Sequence, residues 1–153
     1  MNITVKRLIT GDIKEFTEVL GVFEDVFEMR DFQLPGDDHL ATLLSREDFI
    51  VYVALSENAV VGGLTAYILP SYYSQSSEVY LYDLAVKTSH QRKGIGKKLL
   101  NALTEYCHQN GYKEFFVQAD EADTHALDFY RSTGGSAEKV THFTYRITKV
   151  KGY

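Results

Sequence analysis

The chain has 153 residues, no tryptophan and a single cysteine, Cys107. One cysteine cannot form an internal disulfide or a cysteine-rich zinc site, so the sequence indicates a reducing compartment. No two of the five histidines have the spacing of metal ligands, and we predict no metal. Eleven tyrosines and nine phenylalanines supply the aromatic bulk that tryptophan does not.

Long apolar runs are also missing. No stretch approaches the roughly 20 apolar residues of a membrane helix, and the opening residues, MNITVKRLITGD, lack the apolar run of a secretory signal. We therefore expect a cytoplasmic protein with no membrane partner. The length suits one domain with its own hydrophobic core, so we expect a single domain over residues 1–153.

Negative charge dominates the sequence, whose formal net charge is −5. Residues 87–98 are the exception, because they carry five of the sixteen cations and no acid. The rest of the chain has eleven cations and twenty-one acids. Such a surface repels nucleic acid over most of its area and attracts cations. We predict a small cationic partner and no nucleic acid.

The hydrophobic pattern predicts ten elements in the order β, α, α, β, β, β, α, β, α, β. Asp12 and Glu15 form a capping pair before the first helix. We predict strands at 2–8, 49–55, 59–69, 78–86 and 113–119, with a last strand or pair within 137–148, and helices at 13–27, 39–45, from 95 to about 110, and at 124–132. This order predicts an α/β fold with a mixed, mostly antiparallel central sheet and helices on both faces.

One basic, glycine-containing segment, HQRKGIGKKLL (90–100), joins the strand EVYLYDLAV to the third helix. It lacks the third glycine of a dinucleotide fingerprint and the spacing of an NTPase P-loop. It does fit Q-x-x-G-x-G over 91–96. Glycines let the backbone approach an anion, and a helix start offers free N–H groups and a positive dipole end. The segment therefore predicts a site for a diphosphate.

That segment resembles the signature of the GCN5-related N-acetyltransferase (GNAT) superfamily, and the resemblance extends over nearly the whole chain. Ala126, Tyr130 and Gly134 in ALDFYRSTGG match the family pattern A-x-x-x-Y-x-x-x-G. The resemblance implies acetyl-CoA as co-substrate and direct attack of an amine on its thioester. It places Tyr130 beside the sulfur, where a phenol can protonate the leaving thiolate. The coenzyme-binding residues that we predict are Leu84, Ala85, Val86, Gln91, Arg92, Lys93, Gly94, Ile95, Gly96, Lys97, Lys98, Asp123, Ala126 and Tyr130.

Asp123 is a departure, because many members of the family have an asparagine there. Cys107 lies on the apolar face of the third predicted helix, so we expect it to pack in the core rather than to act as a nucleophile.

Four side chains are candidates for the base that deprotonates the amine. Asp83 interrupts an apolar strand, and Asp120 ends the next strand, where ligands bind in open sheets. Glu78 lies five residues before Asp83, so regular pleating puts the two on opposite faces unless a bulge intervenes. His142 is a base or an orienting group. A structural role is the alternative for three of them: Asp83 as a partner of a backbone N–H or an arginine, Asp120 as a solvated loop residue and His142 as a buried histidine.

Taken together, EVYLYDLAV, FVQAD, ALDFY and THF resemble the type I aminoglycoside 3-N-acetyltransferases. This implies acetylation of the 3-amino group of the deoxystreptamine ring, a role in antibiotic resistance, and Asp83 and Asp120 as carboxylates facing the acceptor. In that family an acid follows the His-Phe pair, whereas this chain has Thr144. The acceptor therefore stays open between an aminoglycoside and another polycationic amine, such as a polyamine, an amino sugar or a peptide.

A non-catalytic domain that only binds coenzyme A is the further alternative. Family members often pair, but the sequence does not choose between a monomer and a homodimer.

Overall fold

In the computed structural model, residues 2–147 are described. Contacts divide the chain into two compact units, Met1–Gln118 and Ala119–Tyr153. No helix within the described residues is both long enough and apolar enough to cross a membrane.

The first unit is built on one five-stranded sheet. Its strands run in the order β1 to β5: Ile3–Arg7, Phe49–Ser56, Ala59–Leu69, Glu78–Val86 and Phe115–Val117. The first three pairings are antiparallel, and β5 pairs with β4 in parallel. The expected mixed, mostly antiparallel sheet is confirmed.

Helices cover both faces of this sheet, as the sequence predicts. The three helices of the unit are α1 (Ile13–Val26), α2 (Asp37–Leu44) and α3 (Ile95–Gln109). Phe49, Val51 and Val53 of β2 share one buried cluster with α1 and α2. The alternate β2 residues, such as Ile50, point to the opposite face, which α3 covers with buried leucines such as Leu99.

A glycine lets α1 lie directly on β3. A Cβ at Gly63 would collide with the Val19 side chain and would stand 2.8 Å from the Tyr52 carbonyl oxygen. Because only hydrogen fits there, helix and strand approach closely beside the site described below.

Helix α3 ends in a glycine turn, where the sequence places its end. Gly111 has a φ of +72°. The Tyr112 N–H donates to the Cys107 carbonyl at 2.9 Å, and the Gly111 N–H donates to His108 at 3.3 Å. This double hydrogen bond is the Schellman arrangement.

The second unit contains α4 (Thr124–Ser132), with the predicted bounds. The Asp123 carboxylate accepts a hydrogen bond from the Ala126 N–H at 3.0 Å and so caps the helix. At the other end, Gly134 has a φ of +102°, and the Gly135 N–H donates to the Tyr130 carbonyl at 2.8 Å. The two glycines of ALDFYRSTGG therefore end the helix.

Four sequence predictions differ in detail from the structure. Asp12 does not cap α1; its carboxylate turns back to accept hydrogen bonds from the Ile9 N–H at 2.9 Å and from Lys6 at 3.4 Å. Helix α2 begins two residues earlier than predicted, and β5 keeps only the three residues that pair with β4. No strand forms within 137–147, and residue 148 lies outside the described residues.

Candidate active site

The basic glycine segment forms the turn into α3. A 3-10 turn at Thr88–His90 follows β4, and Gly94, with a φ of +80°, precedes the helix. The first helical hydrogen bond runs from the Lys98 N–H to the Gly94 carbonyl at 3.1 Å. The N–H groups of residues 95–97 come before it and have no helical acceptor. They form the helix end that attracts anions.

Side chains hold this turn and surround it with positive charge. The Gln91 amide donates to the Val86 carbonyl at 3.0 Å, which ties the loop to the end of β4. Lys93 reaches the Ser89 carbonyl at 3.4 Å, while Arg92, Lys97 and Lys98 are exposed. Free amides, a glycine and several cations without a nearby acid fit the diphosphate of coenzyme A.

Strand β4 has a free edge beside this turn. It pairs with β5 only from Val79 to Leu81, although β4 itself continues to Val86. Among residues 2–147, no strand pairs with residues 82–86 on the β5 side. Leu84, Ala85 and Val86, which we predicted to bind the coenzyme arm, lie on this segment. Its backbone is available to a ligand between the diverging strands.

A β-bulge interrupts β4 at the same place. Thr65 of β3 pairs with Asp83, and the next residue, Ala66, pairs with Leu81, so Tyr82 is the extra residue. Both Tyr82 and Asp83 therefore line the same pocket. The bulge also resolves the question that the sequence left open, because it places Glu78 and Asp83 on one face of the strand.

The pocket between β4 and helices α1 and α2 has a volume of ≈180 Å³. Asp83 and Thr65, a buried polar residue, lie in its wall with the His39 side chain. The rest of the wall is mainly aromatic: Phe16, Phe23, Phe32, Phe49, Tyr67 and Tyr82. This aromatic wall was not predicted from the sequence. The sequence pattern that indicates it is the alternation of tyrosines before Asp83 in EVYLYD, together with the phenylalanines of α1 at helical spacing.

Asp83 is a partly buried carboxylate that has no side-chain partner among the described residues. Within residues 2–147 it accepts no side-chain hydrogen bond and forms no ion pair. Burial raises its pKa above the ordinary value, because the apolar surroundings disfavour the charged form. The pKa values of Tyr67 and Tyr80 are also raised, first by burial and then by Tyr82 and Asp83. An unpartnered carboxylate of raised basicity is suited to accept a proton from a ligand.

The remaining candidates lie elsewhere. Glu78 is exposed at the start of β4, and Asp120 and His142 are exposed in the second unit. Tyr130 is on α4, with its ring centroid 5.2 Å from that of Phe129. Residues 2–147 contain no group of three or more side chains arranged to hold a metal.

The structure gives Cys107 and Asp123 structural roles. Cys107 is buried in α3, and burial raises the pKa of its thiol, so the structure places it in the core and not at an exposed reactive site. Asp123 caps α4 through one carboxylate oxygen, as described above.

A larger cleft, of ≈700 Å³, lies between α1, the start of β3 and residues 87–89. Glu18 and Asp25 line it opposite Lys87. Because carboxylates repel a phosphate, this cleft is less suited to a diphosphate than the α3 turn is.

A model of the acetyltransferase (GNAT) family matches residues 16–134, which contain both the glycine turn and α4. The chain belongs to this family. Its fold matches the crystal structure of the aminoglycoside acetyltransferase meta-AAC0020, from an uncultured soil metagenomic sample, with 48% identity, a TM-score of 0.93 and coverage of 95% of this chain and 97% of that one. Another structure of that enzyme, at 47% identity, contains sisomicin.

Other GNAT relatives are more distant. The aminoglycoside acetyltransferase HMB0005, also from an uncultured soil metagenomic sample, is 32% identical, with a TM-score of 0.92 over 97% of this chain and all of that one (100%). N-acetyltransferase family 8 member 3 of Mus musculus is 26% identical over 71% of this chain. The chain spans about half (48%) of the length of that mouse relative.

Proposed function

We propose that the chain transfers the acetyl group of acetyl-CoA to an amino group of an aminoglycoside, and that the acceptor amine is the 3-amino group of the deoxystreptamine ring. The observation that carries this proposal is Asp83, a partly buried carboxylate in an aromatic pocket beside the free edge of β4, for which residues 2–147 supply no side-chain partner. The likeness to aminoglycoside acetyltransferases at 48% identity supports the acceptor class. The 3-amino position is what the resemblance of YDLAV, VQAD and THF to the type I aminoglycoside 3-N-acetyltransferases implies.

In this proposal Asp83 acts on the acceptor twice. Its carboxylate pairs with the ammonium group, a charge-assisted contact that contributes about 1.5–3 kcal/mol. It then takes the proton that the amine must lose before attack, directly or through water. The raised pKa of Asp83 makes it a stronger base than an exposed aspartate.

The glycine turn holds the other substrate. The amides at residues 95–97 and the cations from Arg92 to Lys98 bind the diphosphate, and the edge of β4 at residues 84–86 lines the arm of the coenzyme. Acetyl-CoA, when bound, supplies the thioester that the amine attacks. The proposed role of Tyr130 is to give its phenolic proton to the departing thiolate.

The other predicted residues keep subordinate roles in the proposal. Asp120 and Glu78 attract further ammonium groups of the acceptor, and His142 orients it. Asp123 and Ala126 lie at the start of α4, where we propose that they contact the coenzyme. A cytoplasmic location remains a prediction, and the choice between a monomer and a homodimer stays open.

A thiol-release assay with acetyl-CoA and a panel of amines tests the proposal. We expect turnover with sisomicin and gentamicin and at least tenfold lower kcat/KM with spermidine. NMR of the product is expected to show one new acetamide, on the 3-amino nitrogen. Thr144 replaces an acid of the family pattern, so the panel includes neamine and glucosamine; preferred turnover of spermidine or glucosamine would contradict the proposed acceptor.

A further inference from the structure

Aromatic rings continue from the pocket along β4 to the edge of the sheet. The ring centroids of Tyr67 and Tyr82 are 5.6 Å apart, and those of Tyr82 and Tyr80 are 5.4 Å apart. Tyr80 then stacks on Phe116 of β5, with 4.6 Å between centroids. These four residues form what we call the aromatic row. The Tyr80 hydroxyl donates to the Gln118 side chain at 3.0 Å, which fixes its ring in place.

Along β4, the two tyrosines of the row lie between two carboxylates. Asp83 lies in the pocket beside Tyr82, and Glu78 is exposed at the start of β4. Because residues 78, 80 and 82 alternate regularly before the bulge, Glu78 lies on the same face as the tyrosines. From Glu78 to Tyr82 the strand rises about 13 Å. The face therefore presents a carboxylate, two rings and a second carboxylate in line.

Packing within the protein leaves two of these rings partly exposed to solvent. Tyr82 keeps 54% of its surface exposed and Phe116 keeps 38%. Among residues 2–147 the cation–π contact is that of Arg7 with Tyr106, at 5.1 Å and outside the row. Arg46, the cation that acts on Tyr67, is held by Asp48 through hydrogen bonds of 2.8 and 2.9 Å. Within residues 2–147, no cation of the chain forms a cation–π contact with the row, which can therefore accept a cation.

We propose that the aromatic row and Glu78 form a second binding site for the acceptor, which holds an ammonium group remote from the amine that is acetylated. This rests on the proposed function, since Asp83 binds the reacting amine. An ammonium over a tyrosine ring, within about 6 Å of its centroid, is attracted by the electrons of the ring face. Glu78 adds an opposite charge at the far end. The enzyme therefore prefers acceptors with several ammonium groups spread along the row, and it disfavours small diamines.

Selectivity between two acceptors tests the second site. The assay compares kcat/KM for sisomicin, which has several ammonium groups on three rings, with that for 2-deoxystreptamine, its diamine core. We expect Tyr82→Leu to lower the ratio of kcat/KM for sisomicin to kcat/KM for 2-deoxystreptamine about tenfold, mainly by raising KM for sisomicin. Glu78→Gln is expected to lower it in the same direction. Tyr82→Phe, the matched control, keeps a ring and is expected to keep the ratio within about twofold.

Equal losses on both acceptors, or a lower ratio in Tyr82→Phe as well, would overturn the second site. Thermal melts of each variant check that the exposed substitution leaves the fold intact.

A binding measurement separates this inference from the proposed function. Calorimetric titration with spermine requires no acetyl transfer. We expect spermine to bind the wild-type protein about tenfold more tightly than it binds Tyr82→Leu. If wild type acetylates no aminoglycoside but this difference is found, the proposed function fails and the cation site stands. If spermine binds both proteins equally, the cation site fails whatever the acetylation assay gives.

Discussion

At the scale of single residues, Asp83 differs from the other carboxylates of the first unit. Asp48 forms a bidentate pair with Arg46, and Asp12 accepts hydrogen bonds from Lys6 and a backbone amide. Asp83 is more enclosed than Asp48 and, unlike both, lacks such a partner within the described residues. A carboxylate left uncompensated in an apolar site lowers stability, so a functional reason for keeping it is expected.

Replacing Asp83 tests that reason directly. We expect Asp83→Asn to lower kcat with sisomicin by about 10²–10⁴-fold, because the amide has the same shape but cannot accept the proton. The proposed site of acetyl-CoA is the α3 turn, so its affinity should stay within about threefold. Thiol release measures the first quantity and calorimetry the second. Wild-type turnover in Asp83→Asn would remove this residue from the mechanism.

The raised pKa of Asp83 predicts opposite effects of pH on activity and on stability. Activity requires the carboxylate, so kcat/KM should fall as pH decreases through a pKa above the ordinary 3.8 of aspartate. The folded protein binds this proton more tightly than the unfolded chain does. Burial of the charged form therefore destabilises the fold above the raised pKa, and this effect disappears below the ordinary pKa.

Asp83→Asn should consequently raise the melting temperature at pH 7, by about 1–3 °C, and the gain should vanish near pH 3. Melting curves of both proteins across pH measure it. A variant that is less stable than wild type at pH 7 would mean that Asp83 makes a stabilising contact.

At the scale of secondary structure, much of the site could be read from the sequence. The Q-x-x-G-x-G spacing predicted the strand, turn and helix around the proposed diphosphate site, because glycine and a helix start impose local geometry. The bounds of α4 were also predicted, since Asp123 and Gly134 act on their own helix. The bulge at Tyr82 could not be predicted, because it depends on how β4 aligns with β3. The aromatic wall depends on the same alignment, which sequence periodicity does not contain.

The two ends of α3 offer a matched pair of glycines. Gly94 and Gly111 both have a positive φ, and a Cβ at either would meet no atom within 4 Å. Alanine at each position should therefore destabilise the fold by a similar amount, about 1–2 kcal/mol, through backbone strain alone. We expect Gly94→Ala to weaken acetyl-CoA binding at least tenfold, because it disturbs the amides that bind phosphate. Gly111→Ala should leave binding within about twofold.

Calorimetry with acetyl-CoA and urea unfolding provide the two measurements. If both variants lose affinity equally, the effect comes from helix stability and not from the turn.

A second pair of glycines tests the contact between α1 and the sheet. We expect Gly63→Ala to lower the free energy of unfolding by about 1–3 kcal/mol, because its Cβ would collide with Val19 and approach the Tyr52 carbonyl. Gly21 lies within α1 and has open space around it. Gly21→Ala should therefore raise the same free energy by about 0.5–1 kcal/mol. Urea unfolding of both variants measures the two changes, and a neutral Gly63→Ala would show that α1 can move away from β3.

At the scale of the whole molecule, the two proposed substrates have opposite charges. The charges of the chain are also unevenly distributed along its sequence. Five cations and no acid lie between residues 87 and 98, whereas the chain as a whole has a net charge of −5. In the proposed function the anionic coenzyme is attracted to this basic segment, and the polycationic acceptor is attracted by the net negative charge of the chain as a whole. Long-range attraction therefore contributes to the proposed binding of both substrates.

Salt should therefore weaken acceptor binding without changing the chemical step. Raising the ionic strength from 0.01 M to 0.1 M shortens the Debye length from about 30 Å to about 10 Å, which screens attraction by the distant acids. At saturating acetyl-CoA we expect KM for sisomicin to rise about tenfold, with kcat within about twofold, because the contacts at Asp83 are short and partly buried. The diamine 2-deoxystreptamine, which has fewer charges, should show a smaller rise. Steady-state kinetics in potassium chloride measure both, and a KM that is independent of salt would mean that acceptor affinity comes from local contacts in the pocket alone.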